Sequence, residues 1–331
     1  FHRNLLEVLL EGFAERGCPM NDMNRPCGCK SYRTCAACIG NVPFEVNNYE
    51  QKIYENANPY VYCPSCNKIY PGWDINKVTN MCPNHDGKAM DFPGVFIKEN
   101  FISEEEEENL ITELDKIEWQ LSQSGRLKQN FGPKCNFKRK KIRQGDFRGF
   151  PLCTKFIQDR FESIPLLKDY LVIEQCSLDY NDTRGSHIEP HIDDCWIWGE
   201  RLGTLSLMSD SVLTMECYRG DKNKYNLSDC SQFQSITRLG EMTVDESISS
   251  PFQSLHKDNI GYCHPVVRIP MPRRSLLILY DSARYNWLHC ILKKDIVSRR
   301  VCLAYREFTP SHLGSDLVLC QSIIKSAKLF Y

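Results

Sequence analysis

Five short apolar runs in the C-terminal half of the chain constrain its fold more than any other feature. They are rich in β-branched and aromatic residues and lie at 204–208, 212–218, 266–271, 275–280 and 300–308. No helical pattern separates them, which is typical of a β-sandwich or jelly roll. A polar stretch at 219–262, rich in Asp, Asn, Ser and Gln, interrupts the series and is predicted to be a loop insertion.

Helices are predicted on either side of this β-rich frame. A strand at 94–98 is followed by a helix that starts at Ser103, because Ser103 and Glu106 have the spacing of a capping box. The remaining predicted elements are helices at 1–16, 151–168 and beyond residue 315, and a strand at 172–181. The expected fold class is therefore mainly β with flanking helices, an α+β fold.

The overall composition is that of a globular protein. Of 331 residues, 42% are hydrophobic and 25% are charged, and the net charge of −1 argues against a protein-wide basic field for nucleic acid. No apolar run approaches the roughly 20 residues that span a bilayer, so no membrane partner is expected. The first residues lack the cleavage site of a secretory signal, and the cytoplasm and nucleus are the expected compartments.

Cysteine usage sets the N-terminal part apart, since eight of the 18 cysteines lie before residue 85. In a long chain without a secretory signal, such clustering favours reduced thiols and metal ligation over disulfides. Two groups have the short spacings with which side chains share a tetrahedral zinc ion. The first group is Cys27, Cys29, Cys35 and Cys38, and the second group is Cys63, Cys66, Cys82 and His85. Residues 1–91 are predicted to be a helix and zinc-binding region in which Zn(II) supplies folding energy. Free thiols or disulfides are the alternatives.

The run HIEPHIDDCWIW at 187–198 contains the pair His191 and Asp193. Residues i and i+2 of an extended strand point to the same face, so these two side chains could bind one metal ion. A lone histidine, His289, follows downstream in an aromatic setting. Two histidines and one carboxylate leave half of an octahedron open, which is the arrangement of non-haem Fe(II) oxygenases. A buried core histidine is the alternative for His289.

Arg300 and Arg306 follow His289 at an even spacing, so both guanidinium groups are predicted to project from one face of a strand. A buried arginine pair without a carboxylate partner would be costly, and a bound dicarboxylate would remove that cost. A planar guanidinium also grips a carboxylate through two hydrogen bonds. Tyr180 ends the predicted strand before the histidine motif. Its hydroxyl could donate a hydrogen bond to the same carboxylate; the alternative is that Tyr180 is a buried core residue.

Other candidate ligands fit this pattern less well. His187 lies outside the His-x-Asp geometry. His264 is followed by Arg268 and Arg274, which have the same six-residue spacing as Arg300 and Arg306. Between them lie Pro270 and Pro272, which favour an edge strand or a turn over a buried arginine face.

A basic stretch at 121–143 has two interpretations. Its basic residues alternate with Phe131 and Phe137, and such a pattern could grip phosphates and stack bases. The basic residues are Lys134, Lys138, Arg139, Lys140, Lys141 and Arg143. A solvated hairpin edge is the alternative.

Taken together, these motifs resemble the AlkB family of Fe(II)/2-oxoglutarate dioxygenases over nearly the whole chain. The matching runs are CGCK and RTCxxC at 27–38, FPGV at 92–95, LSQSGRLKQNFGPK at 121–134, PHIDDCWIWGERL at 190–202, SARYNWLH at 282–289 and RRVCLAYREF at 299–308. The resemblance implies a double-stranded β-helix at 92–331, with iron on His191, Asp193 and His289. It places Arg300 at the distal carboxylate of 2-oxoglutarate, Arg306 at the end near iron, and Tyr180 beside the co-substrate.

The sequence also departs from the family pattern. Cys302 stands where the bacterial enzyme has an asparagine that touches the co-substrate, and the second cysteine group is not part of the known pattern. The stretch 121–143 corresponds to the family's substrate lid but is rich in lysine.

The resemblance implies oxidative N-demethylation with Fe(II), 2-oxoglutarate and O2, releasing succinate, CO2 and formaldehyde. The implied substrates are a monomethylated lysine on actin or N6-methyladenine in DNA, and the residues do not decide between a protein and a DNA partner. An inactive zinc-bearing scaffold is the remaining alternative.

Overall fold

The computed structural model describes residues 25–41, 50, 53, 55, 57–232 and 264–331. The predicted helix at 1–16 and residues 233–262 of the predicted insertion lie outside the described residues. In the described part of the insertion, a distorted 3-10 segment occupies Lys224–Gln232. None of the helices in the described ranges is long and apolar enough to cross a membrane.

Sixteen strands carry the architecture of the described residues. They are β1 (Ala57–Cys63), β2 (Lys68–Pro71), β3 (Met90–Asp91), β4 (Val95–Lys98), β5 (Gln120–Leu121), β6 (Leu127–Phe131), β7 (Lys134–Asn136), β8 (Lys141–Arg143), β9 (Glu174–Tyr180), β10 (Ile188–His191), β11 (Trp198–Leu207), β12 (Ser211–Cys217), β13 (His264–Met271), β14 (Leu276–Leu279), β15 (Trp287–Ile291) and β16 (Arg300–Phe308). All five apolar runs of the C-terminal half are strands, as predicted, and β11 begins six residues earlier, at Trp198.

The strands form two seven-stranded sheets and the two-stranded hairpin β7-β8. The first sheet has the order β10-β15-β12-β13-β1-β2-β3, and the second has the order β4-β14-β11-β16-β9-β6-β5. Every pairing is antiparallel except β1 with β13, in which Ala57 to Val61 run parallel to His264 to Arg268. Strands from residues 57–91 thus continue the first sheet, while the proposed boundary at residue 91 stays a prediction.

The two sheets face each other across a shared apolar core. Leu213, Met215 and Val267 of the first sheet belong to the same buried cluster as Leu202 and Leu277 of the second. Each fully buried aliphatic side chain of this kind contributes about 1.5–3 kcal/mol. The two inner faces therefore enclose the space in which a site can be built.

Helices cover the outer face of the second sheet. The described helices are α1 (Ile75–Thr79), α2 (Glu104–Asp115), α3 (Lys155–Phe161), α4 (Asp281–Tyr285), α5 (Pro310–Leu313) and α6 (Val318–Ser326). Leu114 of α2, Phe161 of α3 and Ile323 of α6 share a second buried cluster with Leu303 and Tyr305 of β16. The molecule is a sheet-rich α+β fold in which the second sheet lies between helices α2, α3 and α6 and the first sheet.

Two of the helix predictions are confirmed and one is wrong in extent. The Ser103 side chain accepts a hydrogen bond from the Glu106 amide, and the Glu106 side chain accepts one from the Ser103 amide, so the capping box is present. The terminal helix beyond residue 315 is α6. The single helix predicted at 151–168 is instead a 3-10 turn, the seven-residue α3 and a second 3-10 turn. Pro165 has no amide hydrogen to continue the ladder of α3.

Strand β16 shows how the sequence sorts side chains between these layers. Val301, Leu303 and Tyr305 point to the helical side and are fully buried there. The alternate residues Arg300, Cys302 and Arg306 line a cavity between the sheets instead. The two-residue period of a strand therefore places the predicted arginines on the cavity side.

Candidate active site

The predicted metal ligands converge on this cavity. His191 is the last residue of β10 and lies directly opposite His289 of β15 in the antiparallel register. Asp193 follows two residues beyond the end of β10. The three side chains each offer a ligand atom, and these atoms all lie within 4.8 Å of one another. Nε2 of His191 is 3.7 Å from Oδ1 of Asp193. The cluster is compact enough for one ion.

Backbone contacts fix the orientation of His191. Its Nδ1 lies 2.8 Å from the carbonyl oxygen of Glu189, which can only accept a hydrogen bond. The proton therefore belongs on Nδ1, and Nε2 keeps a free lone pair for a metal.

The electrostatics of the cluster also suit a divalent cation. Burial lowers the pKa of His191, and it lowers the pKa of His289 well below its ordinary value. Burial opposes ionisation of Asp193, but Arg306 and the two histidines hold the pKa of that carboxyl well below its usual range. Two neutral imidazoles and one carboxylate are the protonation states in which these groups bind metal.

Arg306 already has two carboxylate partners within the protein. Its Nε donates to Oδ2 of Asp193 over 2.6 Å, and its Nη2 donates to Oδ1 over 3.2 Å. Its Nη1 donates to Glu174 over 2.7 Å. The expectation that the arginine pair lacks carboxylate partners is therefore wrong for Arg306. The reason is that β9 pairs with β16 and brings Glu174 directly opposite Arg306.

Arg300 has the opposite surroundings. It is 1% exposed, and Nη2 reaches only Oγ of Ser206 at 3.1 Å and the sulfur of Met271 at 3.7 Å. Its Nε and Nη1 have no hydrogen-bond partner in the described part of the chain. Such a guanidinium is costly to bury alone, and an anionic ligand would satisfy it. The donor set therefore fits a carboxylate co-substrate.

Tyr180 and Cys302 complete this end of the cavity. Tyr180 pairs with Arg300 in the β9-β16 register, and its ring lies 5.2 Å from the Arg300 guanidinium. Both residues line the same cavity as the His–Asp–His cluster, and so does Cys302. Every residue predicted to bind iron or 2-oxoglutarate thus lines one cavity.

Two buried arginines at the site were missed by the sequence analysis. Arg284 is 1% exposed, and its Nη1 donates to the carbonyl of Asp193 over 2.9 Å, while its Nη2 donates to the carbonyl of Trp198. It therefore holds the segment that presents the metal-binding carboxylate. Arg126 lies 5.9 Å from the Tyr180 ring. Both lie inside runs that carry the family resemblance, at 282–289 and 121–134, and this was the available signal.

The alternative ligands lie elsewhere. His187 pairs with Glu189. His264, the first residue of β13, contacts Glu216 of β12. The prediction that Arg268 does not lie on a buried face is wrong. It is 4% exposed, and both of its Nη atoms donate to Asp295. Pro270 is tolerated because β1 pairs with β13 only as far as Arg268, so one side of β13 is free of β1 beyond that point.

Both cysteine groups are assembled. In the first group the four sulfur atoms lie within 4.8 Å of one another, and the Cys35 and Cys38 sulfurs are 3.7 Å apart. Tetrahedral Zn–S bonds of about 2.3 Å place sulfurs about 3.8 Å apart. In the second group Cys66 Sγ lies 3.3 Å from both Cys82 Sγ and His85 Nε2. These eight cysteine and histidine residues form no disulfide and could hold two metal ions.

The basic stretch forms an exposed hairpin. All six of its basic residues are exposed, and they are carried by β7, β8 and the turn between them. Lys140 is paired with Asp229 over 2.9 Å. Phe137 is 44% exposed, whereas Phe131 is partly buried and packs against the helix-side core.

A His–Asp–His cluster that could hold one metal ion lies in the same cavity as a buried arginine with two nitrogens unpartnered among the described residues, and this is the arrangement expected of a 2-oxoglutarate-dependent dioxygenase. Comparison with known proteins agrees. The chain is 38% identical over 315 residues to the human protein called alpha-ketoglutarate-dependent dioxygenase alkB homolog 4, covering 92% of this chain and 94% of that protein. The mouse protein of the same name is 34% identical over 310 residues, again covering 92% and 94%. The chain therefore belongs to the AlkB family of 2-oxoglutarate-dependent dioxygenases and is an enzyme.

A third relative differs in name. A Caenorhabditis elegans protein called DNA N6-methyl adenine demethylase is 30% identical over 301 residues, covering 87% of this chain and 88% of that protein. Among solved structures, the one described as the structure of OsALKBH1 aligns at a TM-score of 0.38 with 10% identity, covering 65% of this chain and 99% of that one. That score is too low to bear on the fold. No protein-family model matches the sequence.

Proposed function

We propose that this enzyme removes N-methyl groups oxidatively with Fe(II), 2-oxoglutarate and O2, releasing succinate, CO2 and formaldehyde. The observation that carries the proposal is the buried guanidinium of Arg300, which has two unpaired nitrogens and lines the same cavity as His191, Asp193 and His289. A metal site alone would not need such a cation. A dicarboxylate co-substrate would.

His191, Asp193 and His289 would hold the iron, and Arg300 with Tyr180 would hold the distal carboxylate of 2-oxoglutarate. When bound, iron and 2-oxoglutarate supply the O2 activation that hydroxylates the N-methyl carbon. The protein keeps Asp193 ionised and correctly oriented. Arg306 does so by a hydrogen bond to the Asp193 carboxylate, and Arg284 by a hydrogen bond to the Asp193 backbone carbonyl. Three protein ligands leave the remaining positions for co-substrate and O2.

We infer that the two facing sheets are the double-stranded β-helix, or jelly roll, of this family. The cavity between their inner faces and the metal cluster at the β10-β15 pair support this inference. We also infer that the two cysteine groups bind structural Zn(II), which suits the reducing cytoplasm and nucleus as working compartments. Elemental analysis of the purified chain should then find two zinc ions per molecule besides iron.

The substrate that we propose is a monomethylated lysine on a protein, and the family resemblance suggests actin. The basic stretch supports this choice over DNA in two respects, since Lys140 is paired with Asp229 and Phe131 is partly buried against the helix-side core. DNA N6-methyladenine is the second candidate. The exposed Lys138, Arg139 and Lys141, together with the name of the worm relative, favour it.

The test is to measure succinate and formaldehyde with methyl-lysine actin and N6-methyladenine DNA side by side, with His191→Ala as the inactive control. Formaldehyde released in step with succinate on actin supports the proposal, and release on DNA alone supports the second candidate. Replacing Lys138, Arg139, Lys140 and Lys141 with alanine should abolish activity on DNA and spare a methyl-lysine peptide. A chain that neither binds 2-oxoglutarate nor releases succinate would favour a zinc-bearing scaffold and overturn the proposal.

A further inference from the structure

The loop at residues 122–126 lies between the first cysteine group and the active site. On one side the Ser124 amide donates to the sulfur of Cys29 over 3.2 Å, although the two residues are 95 positions apart. On the other side the Ser124 hydroxyl donates to Glu189 over 2.5 Å, and its carbonyl accepts from the His187 amide. The loop is therefore bonded both to a predicted metal ligand and to the segment that ends in β10.

The backbone of the first cysteine group packs directly against the backbone of this loop, with no room for a side chain between them. A Cβ on Gly28 would lie 2.5 Å from the Ser122 carbonyl oxygen. Gly125 has a φ of +72°, and a Cβ there would lie 2.4 Å from the Arg184 oxygen and 3.2 Å from Cβ of Cys35. Two glycines are thus needed for the contact, and the cysteine group and the loop behave as one packed unit.

Arg126 ends the loop and lies beside Tyr180, which lines the co-substrate end of the cavity. It is 8% exposed, and its guanidinium carbon lies 5.9 Å from the centre of the Tyr180 ring. Its Nε and Nη1 have no hydrogen-bond partner in the described ranges. The Arg300 guanidinium lies 5.2 Å from the same ring and also has two unpaired nitrogens. Two buried cations with free donors thus share one tyrosine.

We propose that Arg126 is a second cationic ligand for the co-substrate carboxylate that meets Tyr180, and that the metal-bound first cysteine group holds Arg126 in place. This inference rests on the 2-oxoglutarate and zinc sites proposed above. Arg300 comes from the second sheet and Arg126 from a loop that the cysteines position. The affinity for the co-substrate therefore depends on metal in the first cysteine group as well as on the iron site.

The first experiment measures the Kd of 2-oxoglutarate for the full chain with Fe(II) under anaerobic conditions. Arg126→Gln should raise this Kd about 10- to 100-fold, as expected for the loss of a charge-assisted hydrogen bond. Arg126→Lys should recover part of the affinity, because it restores the charge. Arg148→Gln, which removes an exposed arginine elsewhere, is the matched control and should leave the Kd unchanged. Metal content should be the same in all three variants.

A second ligand separates carboxylate recognition from general damage to the pocket. 2-Oxobutyrate has the 2-oxo acid group but lacks the distal carboxylate, so Arg126→Gln should weaken its binding far less than that of 2-oxoglutarate. Equal weakening of both ligands, or no change in either Kd, would overturn the assignment of Arg126. A wild-type chain that does not bind 2-oxoglutarate would instead refute the proposed function.

The third experiment tests the role of the metal. Cys35→Ser should lose zinc and raise the Kd of 2-oxoglutarate, and adding Arg126→Gln should weaken binding little further, because both changes remove the same contact. Cys153→Ser is the control for a cysteine outside both groups. If Cys35→Ser does not fold, the wild-type chain can be stripped of zinc, given Fe(II) alone and then resupplied with zinc. Full affinity without zinc in the first group would refute the coupling.

Discussion

The two ends of strand β16 carry the same residue type on the same face, and the fold gives them opposite surroundings. Arg306 is bonded to two carboxylates, those of Asp193 and Glu174. Arg300 meets a hydroxyl and a thioether and keeps two nitrogens unpaired. A motif of two evenly spaced arginines thus contains one residue that is neutralised by carboxylates and one that keeps two unpartnered nitrogens in the described part of the chain.

This difference shows that residue type and spacing do not by themselves assign a role. Arg306 stabilises the ionised form of Asp193, the proposed metal ligand, so its contribution to the free energy of unfolding does not depend on a co-substrate. In the proposed function, Arg300 contributes only when an anionic co-substrate binds. Substitutions at the two positions should therefore affect different quantities, namely the free energy of unfolding and the affinity for 2-oxoglutarate.

The largest effect is expected for Arg306→Met. It leaves Asp193 and Glu174 buried without their cation, and breaking a buried ion pair in this way costs about 3–5 kcal/mol. Urea denaturation of the metal-free protein should show this loss. If Arg306→Met unfolds at the same urea concentration as the wild type, Arg306 does not stabilise the folded protein and the proposed difference between Arg306 and Arg300 is wrong.

Arg300→Met is the matched change at the other end. The free energy of unfolding without ligand should stay the same or rise, because an unpaired buried cation is replaced by an apolar side chain. The Kd of 2-oxoglutarate should rise about 100-fold, since hydrogen bonds to a charged group are lost. A thermal melt shows both effects: the wild type should be stabilised by 2-oxoglutarate and the variant should not. A destabilised variant that still binds the ligand would contradict this expectation.

Glu174→Gln should have a smaller effect. Burial raises the pKa of Glu174, although Arg306 opposes the shift, so the folded protein tolerates this charge poorly. The amide can still accept a hydrogen bond from Arg306, and Asp193 still neutralises the guanidinium. The loss in unfolding free energy should be about 1 kcal/mol, measured by urea denaturation. A loss as large as that of Arg306→Met would show that Glu174 and not Asp193 is the essential partner.

Cys302→Ser should give the smallest effect of the series. Cys302 lies on the cavity face of β16 between the two arginines and is 4% exposed. A serine of nearly the same shape should change the Kd of 2-oxoglutarate by no more than about threefold, or about 0.6 kcal/mol. A tenfold change would indicate that the thiol itself contacts the co-substrate.

The β-rich frame and the convergence of His191, Asp193 and His289 could be expected from local sequence. The two-residue period of a strand predicts the cavity face of β16, and apolar runs predict the strands themselves. The saturation of Arg306 could not be predicted, because Glu174 lies 132 positions away and reaches it only through the β9-β16 register. The contact between Cys29 and Ser124 and the burial of Arg268 against Asp295 also depend on tertiary pairing. Pro165 was a local signal that should have limited the helix predicted at 151–168.

The parallel pairing of β1 with β13 has a consequence for biosynthesis. The partner of residues 57–61 is made about 200 residues after them, and at 5–20 residues per second a ribosome needs roughly 10–40 s to reach it. During that interval β1 and its hairpin partner β2 carry the second cysteine group without the strand that completes their sheet. A metal ion that closes this group early would hold the hairpin together on the nascent chain until β13 emerges.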